Sequence, residues 1–487
     1  MHIVDLTIFI VYMVAMLGVG FYFLRKNKTT DDYYVGGRSM GSMHIGLSVV
    51  ATDVGGGFSI GLGGLGFAMG ISGSWMLFTG LIGAWLSGVF LIPKVSRMSK
   101  KVNLFTFPEI FTHLYNKNVA LVAAIISAIG YLGFTSSQIL AGAKLASATF
   151  VELELNTALI VMGVIAVVYT VLGGLKAVIY TDTIQWAILM IGLIFIGLPI
   201  AYNEIGGYAA IKETVKPEML SFTNLKWSQL LNWSITIIPI WFVGMTLYQR
   251  IYACKDEKEA KKAWFIAGLL EWPVMALMGV LLGLFGRVAM DQGLFTELGF
   301  DSIAKADPEM GLPLLLRTVL PVGLMGIMMS AYFSAIMSTA DSCLMAASGN
   351  IVSDLVKRIF KLSDKIELRL SQVATLVIGA VAILIAMNLK DVLELMLLSY
   401  SFMVSGLFVP VIGAFFWKKS SATGAIVAMV LGGLVTSTLT LIDCSLPYGL
   451  DANFAGISIS AIAFILLSYS FPDNTFQKKL GLTNYEL

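Results

Sequence analysis

The sequence predicts an all-α integral membrane protein in which a single domain covers residues 1–487. Three observations support this prediction. First, 57% of the residues are hydrophobic and only 13% are charged, and the mean hydropathy is +0.84, a balance that soluble globular chains do not show. Second, apolar runs of about 17 to 25 residues follow one another almost without a break. Third, Lys and Arg gather in alternate loops, as they do in multi-pass membrane proteins.

Thirteen apolar runs are long enough to be transmembrane helices. They cover residues 3–23, 44–70, 75–93, 119–149, 155–173, 183–203, 229–249, 264–286, 314–346, 371–389, 392–416, 421–442 and 454–470. The first run has neither the basic n-region nor the small-residue cleavage site of a signal peptide, so we expect it to remain as a helix.

The distribution of charge predicts how these helices are oriented. Basic loops alternate with loops that are poor in Lys and Arg, and one of the poor loops is acidic between Asp291 and Glu309. By the positive-inside rule the N-terminus lies outside and the tail over residues 471–487 is cytoplasmic, which requires an odd number of spans. Thirteen spans satisfy this condition, and the expected location is the plasma or inner membrane of the cell.

Composition also excludes several classes of function. The net charge is only +2 and the basic residues are dispersed, so no nucleic-acid partner is expected. Cys254, Cys343 and Cys444 are far apart, as are the three histidines, which argues against a disulfide framework or a metal cluster. Because we find neither a metal cluster nor a nucleophile motif, we do not expect an enzyme.

A polar stripe lies inside the ninth predicted span, between Ser330 and Cys343. At 3.6 residues per turn one helical face collects four serines, with a threonine and an aspartate beside them: Ser330, Ser334, Ser338, Ser342, Thr339 and Asp341. An Asp at mid-membrane costs roughly 2.5 to 3.5 kcal/mol, so such residues usually face a bundle interior, a water-filled path or a bound ion. The alternative is that the hydroxyls only bond back to their own helix or allow close packing.

Two of the predicted spans are interrupted. The second contains the glycine-rich segment 51–57, and the seventh, five spans later, contains Pro239 and Gly244. Paired interruptions at corresponding positions indicate an inverted repeat of two five-helix halves, with a solute held where the broken helices expose backbone dipoles. The expected solute-binding residues are Asp53, Gly55, Gly56, Trp241 and Gly244. The alternative is that the glycines only permit close helix packing.

Two more carboxylates lie near or within the predicted membrane core. Asp182 stands at the predicted inner boundary, where it is either a functional residue or an ordinary N-cap of the next helix. Glu271 lies two residues before Pro273, and we expect it to be a structural hydrogen-bond partner beside a proline kink.

Four segments carry a resemblance to a known family. They are Tyr33–Gly41 after the first span, Gly173–Gln185, Ser334–Ser342, and Gly406–Trp417 followed by Lys418 and Lys419. Together they resemble the sodium:solute symporter family over most of the chain, with similarity to its choline-, proline- and pantothenate-type members.

The resemblance implies a LeuT-like core of ten helices over residues 44–416. One extra helix, residues 3–23, precedes this core, and two more, within residues 421–470, follow it. The family's common Na⁺ site consists of oxygens from the broken second span and from the ninth, which in this chain are those of Ala51, Val54, Ala335, Ser338 and Thr339. Some members hold a second Na⁺, and that site would fall on Asp182, Ser338, Asp341 and Ser342.

By this resemblance the chain is expected to be a secondary active transporter that couples the Na⁺ gradient to the uptake of a small organic solute by alternating access. Proline-transporting members carry Asp at the position of Asp53. Choline-transporting members would need tryptophans at Asp53 and Gly244 for cation–π contact, and sugar-transporting members use amides at Asp53 and Phe58. An amino acid or another amine-bearing solute is therefore favoured.

Two alternatives remain open at this point. One is proton coupling through Asp53, Asp182 and Asp341, which are titrating groups of the kind found in proton relays. The other is a membrane sensor that uses the same fold to detect a solute. The lack of a soluble domain after Phe471 argues against the sensor.

Overall fold

A computed structural model of the chain describes residues 2–26, 35–150, 153–300, 306–357, 360, 363–444 and 446–473. These residues are mostly helical, because a backbone in lipid can satisfy its N–H and C=O groups only within helices or closed barrels. The described part contains an isolated β-bridge between Met40 and Cys254 and no sheet. The prediction of an all-α fold is therefore confirmed.

The α-helices of the first half are α1 (Ile3–Lys26), α2 (Ser42–Met69), α3 (Trp75–Phe90), α4 (Ile92–Val102), α5 (Glu109–Leu114), α6 (Lys117–Thr149), α7 (Leu155–Gly192), α8 (Leu198–Glu204), α9 (Gly207–Thr214), α10 (Trp227–Val243) and α11 (Met245–Ala253). Those of the second half are α12 (Glu257–Leu269), α13 (Ala276–Asp291), α14 (Gly311–Val319), α15 (Leu324–Gly349), α16 (Asp364–Ala386), α17 (Val392–Phe416), α18 (Ala422–Leu441) and α19 (Ala452–Ser470). Short π-helical turns extend α7, α12 and α15 at Leu193–Gly197, Leu270–Met275 and Asn350–Val356. Short 3₁₀ turns occupy Gly70–Ser74, Pro217–Leu220, Thr296–Leu298, Pro308–Met310 and Pro447–Gly449.

Eight helical segments within the described ranges are long and apolar enough to cross a membrane, and the bent pair of α10 and α11 makes a ninth. The eight are Ile60–Phe90, Lys117–Thr149, Val178–Glu204, Glu257–Asp291, Ile366–Ala386, Val392–Phe416, Ala422–Leu441 and Ala452–Ser470. Such a set of apolar helices is that of a multi-pass membrane protein. The number thirteen remains a prediction.

Helix α7 covers the predicted span 155–173 and continues into the first half of the predicted span 183–203. The sequence predicts a loop between them, yet the backbone there is helical. The Tyr169 hydroxyl nevertheless lies beside Thr181, and a straight helix would separate residues twelve apart by about 18 Å. The chain therefore bends between these two residues, so that both parts of α7 reach the same neighbour, α15.

Helix α15 lies at the centre of the bundle. It packs against α1, α2, α6, α7 and α16, and every residue from Met328 to Gly349 is buried. A helix that is buried on all sides has no face left for lipid. The polar stripe predicted on this helix therefore faces other parts of the protein.

The helices outside the predicted ten-helix core pack on its surface. Helices α18 and α19 pack together and against α17, and α1 packs against α7 and α15. Asp5 of α1 is buried and accepts hydrogen bonds from the backbone N–H groups of Gly323 and Gly326, at 2.7 and 2.8 Å. Because these N–H groups stand at the start of α15, where no carbonyl of the same helix is within reach, α1 caps the central helix.

Candidate functional site

Helix α2 is broken at Gly55. The backbone torsions there are φ 36° and ψ −160°, a conformation that glycine adopts readily and other residues rarely. A Cβ added at Gly55 would also lie 2.6 Å from the Thr339 hydroxyl oxygen. Glycine at this position therefore both breaks the helix and lets α15 approach the break.

The polar stripe of α15 meets α2 one turn before this break. The Thr339 hydroxyl donates to the carbonyl oxygens of Ala51 at 2.8 Å and Ala335 at 3.2 Å. The Ser338 hydroxyl also donates to Ala335, at 3.0 Å. Val54, the remaining residue of the predicted first Na⁺ site, directly precedes the broken position. These carbonyl and hydroxyl oxygens form a donor set without a full charge, which suits a hard monovalent cation.

Asp182, from the predicted second Na⁺ site, lies inside α7 and not at its start, so the N-cap alternative is wrong. Its carboxylate is fully buried and accepts a hydrogen bond from the Ser48 hydroxyl at 2.5 Å. Ser338 lies beside it as well. The Arg250 guanidinium is 3.8 Å from this carboxylate, so another side chain of the protein supplies the counter-charge of Asp182.

Arg250 is a candidate functional residue that sequence reasoning missed. Arg250 directly follows the predicted span 229–249, where the alternation of basic loops would place it in a cytoplasmic loop, whereas its side chain is completely buried. Its guanidinium donates to Thr52 and Ser342, both at 2.7 Å, and to Ser48 at 3.3 Å. The signal that could have found it is electrostatic, because a carboxylate buried in an apolar bundle either takes up a proton or lies beside a positive charge.

Asp341 occupies a different part of the predicted second site. One of its carboxyl oxygens accepts a hydrogen bond from the Thr170 hydroxyl at 2.5 Å, and the other is buried without a hydrogen-bond partner among the described residues. Asp182 is close enough to act on Asp341 electrostatically. The structure thus gathers the residues predicted for this site, but a single guanidinium nitrogen of Arg250 contacts both Asp182 and Ser342.

Asp53 faces Glu271 in the interior of the bundle. The Glu271 carboxyl and the Tyr400 hydroxyl both lie beside Asp53, and all three residues are buried. Within the described part of the chain, one carboxyl oxygen of Asp53 and both carboxyl oxygens of Glu271 are buried without a hydrogen bond of normal geometry. Two such carboxylates repel each other and therefore hold a proton or a cation between them. Glu271 thus belongs to the candidate site, beyond the structural role predicted for it.

The other predicted solute-binding residues lie around the two helix breaks. The Gly56 N–H donates to the side-chain oxygen of Gln138 at 2.9 Å. Gly244 separates α10 from α11, whose axes meet at 42°. Trp241 is buried and lies against α3 and the ring of Trp264, so the contacts that define its position are packing contacts.

A cavity of about 760 Å³ opens beside the C-terminal half of α2. Its lining reaches Gly61 on α2 and Ser401 on α17, and Ser401 directly follows Tyr400, the residue beside Asp53. Among the described residues its charged lining consists of five carboxylates and no Lys or Arg: Glu309, Asp391, Glu394, Asp443 and Asp451. We call this cavity the acidic vestibule, and its charge favours cations over anions.

Comparison with known proteins connects this site with a family. The model of the sodium:solute symporter family matches residues 33–432. The chain is 28% identical over 473 residues to the osmoregulated proline transporter OpuE of Bacillus subtilis strain 168, covering 94% of this chain and 93% of that protein. It is 28% identical over 491 residues to the sodium/proline symporter of Escherichia coli strain K12, covering 98% and 95%. It is 26% identical over 518 residues to the sodium/glucose cotransporter 1 of Oryctolagus cuniculus, covering 96% and 77%.

A solved structure shares the fold. A Na⁺-coupled sialic acid symporter in a substrate-bound, outward-open state matches with a TM-score of 0.78 at 22% identity, over 97% of this chain and 99% of that one. All of these proteins are transporters of small organic solutes, and none is an enzyme. The chain is accordingly a sodium-coupled symporter of a small organic solute, and it belongs to the sodium:solute symporter family.

Proposed function

We propose that the transported solute is an amino acid or another small solute with an amino group, and that Asp53 and Glu271 bind that group. The observation that carries the proposal is that two buried carboxyl groups lie side by side. Asp53 stands two residues before the break of α2, and Glu271 lies beside Asp53. An ammonium group between them would remove their mutual repulsion and satisfy their oxygens. A sugar or a carboxylic acid without an amine brings no such charge.

The helix break adds a second feature that suits an amino acid. The half of α2 that follows Gly55 begins at this point, and the N-terminal end of a helix attracts negative charge. A zwitterion would therefore place its ammonium group towards Asp53 and its carboxylate towards the start of the half-helix. Two relatives are proline transporters, which supports a solute of this class.

The coupling Na⁺ is proposed to bind between α2 and α15. Its ligands would be the carbonyl oxygens of Ala51, Val54 and Ala335 and the hydroxyl oxygens of Ser338 and Thr339. Both hydroxyls can rotate to offer lone pairs in place of the protons that they now donate. Because Val54 lies between Asp53 and Gly55, a bound Na⁺ would order the same break that holds the solute, so each ligand would tighten the binding of the other.

The acidic vestibule is proposed to be the extracellular entrance. In the predicted orientation, with the N-terminus outside, α2 runs outward and its last residue, Met69, lies on the extracellular side. Met69 lines the vestibule. The carboxylates of the lining would raise the local concentration of Na⁺ and of ammonium-bearing solutes.

Uptake into proteoliposomes tests the proposed solute class. Labelled amino acids, betaines, carboxylates and sugars are offered with an inward Na⁺ gradient, with equal Na⁺ on both sides, and with an inward proton gradient in place of the Na⁺ gradient. We expect concentrative uptake of an amine-bearing solute that requires the Na⁺ gradient. Concentrative uptake of only a sugar or a simple carboxylate would contradict the proposal, and uptake driven by protons alone would assign the carboxylate pair to proton transport.

Two substitutions in the same assay separate binding from structure. Asp53→Asn keeps the size of the side chain and removes its charge, and we expect it to lower concentrative uptake by about tenfold or more. Asp391→Asn, at an exposed position of the acidic vestibule, is the matched control and should retain most of the uptake. Full transport by the Asp53→Asn protein would assign Asp53 to structure alone.

A further inference from the structure

Arg250 lies where the resemblance to the family places a second Na⁺. Its side chain comes from α11, the half-helix that follows Gly244. It reaches α2, α7 and α15 at once, through Thr52, Asp182 and Ser342. The residue is completely enclosed by protein.

One nitrogen of the guanidinium, Nη2, contacts residues of the predicted second Na⁺ site. It donates to the hydroxyl oxygens of Thr52 and Ser342, each at 2.7 Å, and lies 3.8 Å from a carboxylate oxygen of Asp182. A cation held by Asp182 and Ser342 would need two of these oxygens, those of Asp182 and Ser342. Arginine carries its charge at every physiological pH and offers five N–H donors and no acceptor, so it competes with Na⁺ for the oxygens and repels it.

The other groups that lie beside the guanidinium are not carboxylates. They are hydroxyls, a thiol and a backbone carbonyl, from Ser48, Tyr131, Cys343 and Thr246. The second carboxylate of the region, Asp341, accepts a hydrogen bond from Thr170 with one oxygen, its other oxygen has no hydrogen-bond partner among the described residues, and it is not among the groups that act on the guanidinium. Asp182 is therefore the carboxylate that the charge of Arg250 faces.

We propose that Arg250 is a built-in cation that takes the place of a second Na⁺, so that each solute is transported with one Na⁺. Arg250 is in this view a positioning residue, which holds α11 against α2 and α15 without touching the ion of the first site. The inference rests on the sodium coupling and the first Na⁺ site proposed above, and it does not depend on which solute is transported.

Equilibrium binding of radioactive Na⁺ to the purified protein, without solute, counts the sites. We expect one Na⁺ per wild-type protein. Arg250→Gln uncovers Asp182 and Ser342, and we expect this variant to bind two Na⁺. Arg250→Lys keeps the positive charge and should bind one. Two Na⁺ per wild-type protein, or one per folded Arg250→Gln protein, would overturn the inference alone, whereas no Na⁺ binding by the wild type would also overturn the first site.

A second variant keeps the test decisive if Arg250→Gln does not fold. Ser342→Ala removes a hydroxyl that accepts from Arg250 and leaves every charge in place. If Ser342 is not an ion ligand, the Na⁺ concentration for half-saturation should change by about twofold or less. A rise of about tenfold, as expected for Thr339→Ala of the first site in the same experiment, would show that Ser342 binds Na⁺ and would overturn the inference.

Discussion

The Thr339 hydroxyl donates to the carbonyl oxygen of Ala51 over 2.8 Å, across 288 residues of sequence. The contact joins the central helix α15 to the helix that is broken at Gly55. It therefore links the two halves of the predicted inverted repeat at the point where the first Na⁺ site is proposed.

Removal of the two hydroxyls of this site should weaken the response to sodium. The double variant Ser338→Ala with Thr339→Ala is expected to raise the Na⁺ concentration for half-maximal uptake by about tenfold or more, because the ion loses oxygens that replace its water ligands. Ser330→Ala is the matched control, since this hydroxyl bonds back to Gly326 of its own helix. An unchanged Na⁺ dependence in the double variant would exclude the site.

Gly55→Ala should abolish uptake. A residue with a side chain held in this sparsely populated region of φ and ψ costs about 1–3 kcal/mol, and the added methyl group would collide with Thr339. Gly18→Ala on α1, where an added Cβ meets nothing within 4 Å, should behave as the wild type. Uptake and thermal unfolding of both variants are measured together, and normal transport by Gly55→Ala would show that the break is not required.

A buried ion pair lies beside the acidic vestibule. The Lys144 ammonium is 2.6 Å from carboxylate oxygens of both Asp307 and Glu309. Glu309 also accepts hydrogen bonds from the backbone N–H groups of Val392 and Leu393, each at 3.0 Å, at the start of α17. The carboxylate of Glu309 thus joins α6 to α17.

Lys144→Met removes the positive charge that Glu309 contacts and leaves the Glu309 carboxylate buried. We expect this substitution to destabilise the protein by about 3–5 kcal/mol. The matched control is Lys261→Met, which removes a half-exposed pair with Glu257 at 2.9 Å and should cost less than about 1 kcal/mol. Thermal unfolding in one detergent compares the two. Equal losses of stability in the two variants would contradict a structural role of the buried pair.

Cys444 offers a natural probe of the acidic vestibule. It is exposed in the lining, whereas Cys254 and Cys343 are buried. A cationic, membrane-impermeant methanethiosulfonate added outside intact cells should modify Cys444 faster than its anionic counterpart, once each rate is divided by that of a free thiol. The ratio of the two normalised rates should fall towards one as the salt concentration is raised.

The same labelling tests the orientation of the chain, with Cys444→Ser as the unreactive control. Modification only from the cytoplasmic side would contradict an extracellular vestibule. Faster modification by the anionic reagent would contradict its proposed attraction for cations.

The sequence was sufficient for the fold class, because lipid leaves the backbone so few ways to satisfy its polar groups. It was also sufficient to find Ser338 and Thr339 as neighbours on a polar face, since a 3.6-residue repeat fixes which side chains share a face whatever that face contacts. The sequence did not reveal that the helix continues through the loop predicted between spans 155–173 and 183–203. Glycines at 173 and 174 weaken a helix without ending it, and the backbone there stays helical.

Arg250 and Glu271 could not be placed in this way. Arg250 directly follows the seventh predicted span, and a count of charges along the chain assigns such a residue to a loop. Its partners Ser342 and Thr52 lie 92 and 198 residues away, so only tertiary packing reveals them. The same holds for Glu271, whose neighbour Asp53 belongs to the other half of the predicted repeat.

Asp5 limits how the central helix α15 can move relative to the peripheral helix α1. Because its carboxylate holds the N–H groups of Gly323 and Gly326, the first turn of α15 is fastened to a helix outside the repeat. Sliding of α15 along its axis would break both bonds, whereas tilting about this end would keep them. In such a tilt the displacement of a residue grows with its distance from Asp5. Ser338, twelve residues beyond Gly326 and so about 18 Å further along the helix, would therefore move more than the first turn of α15 does.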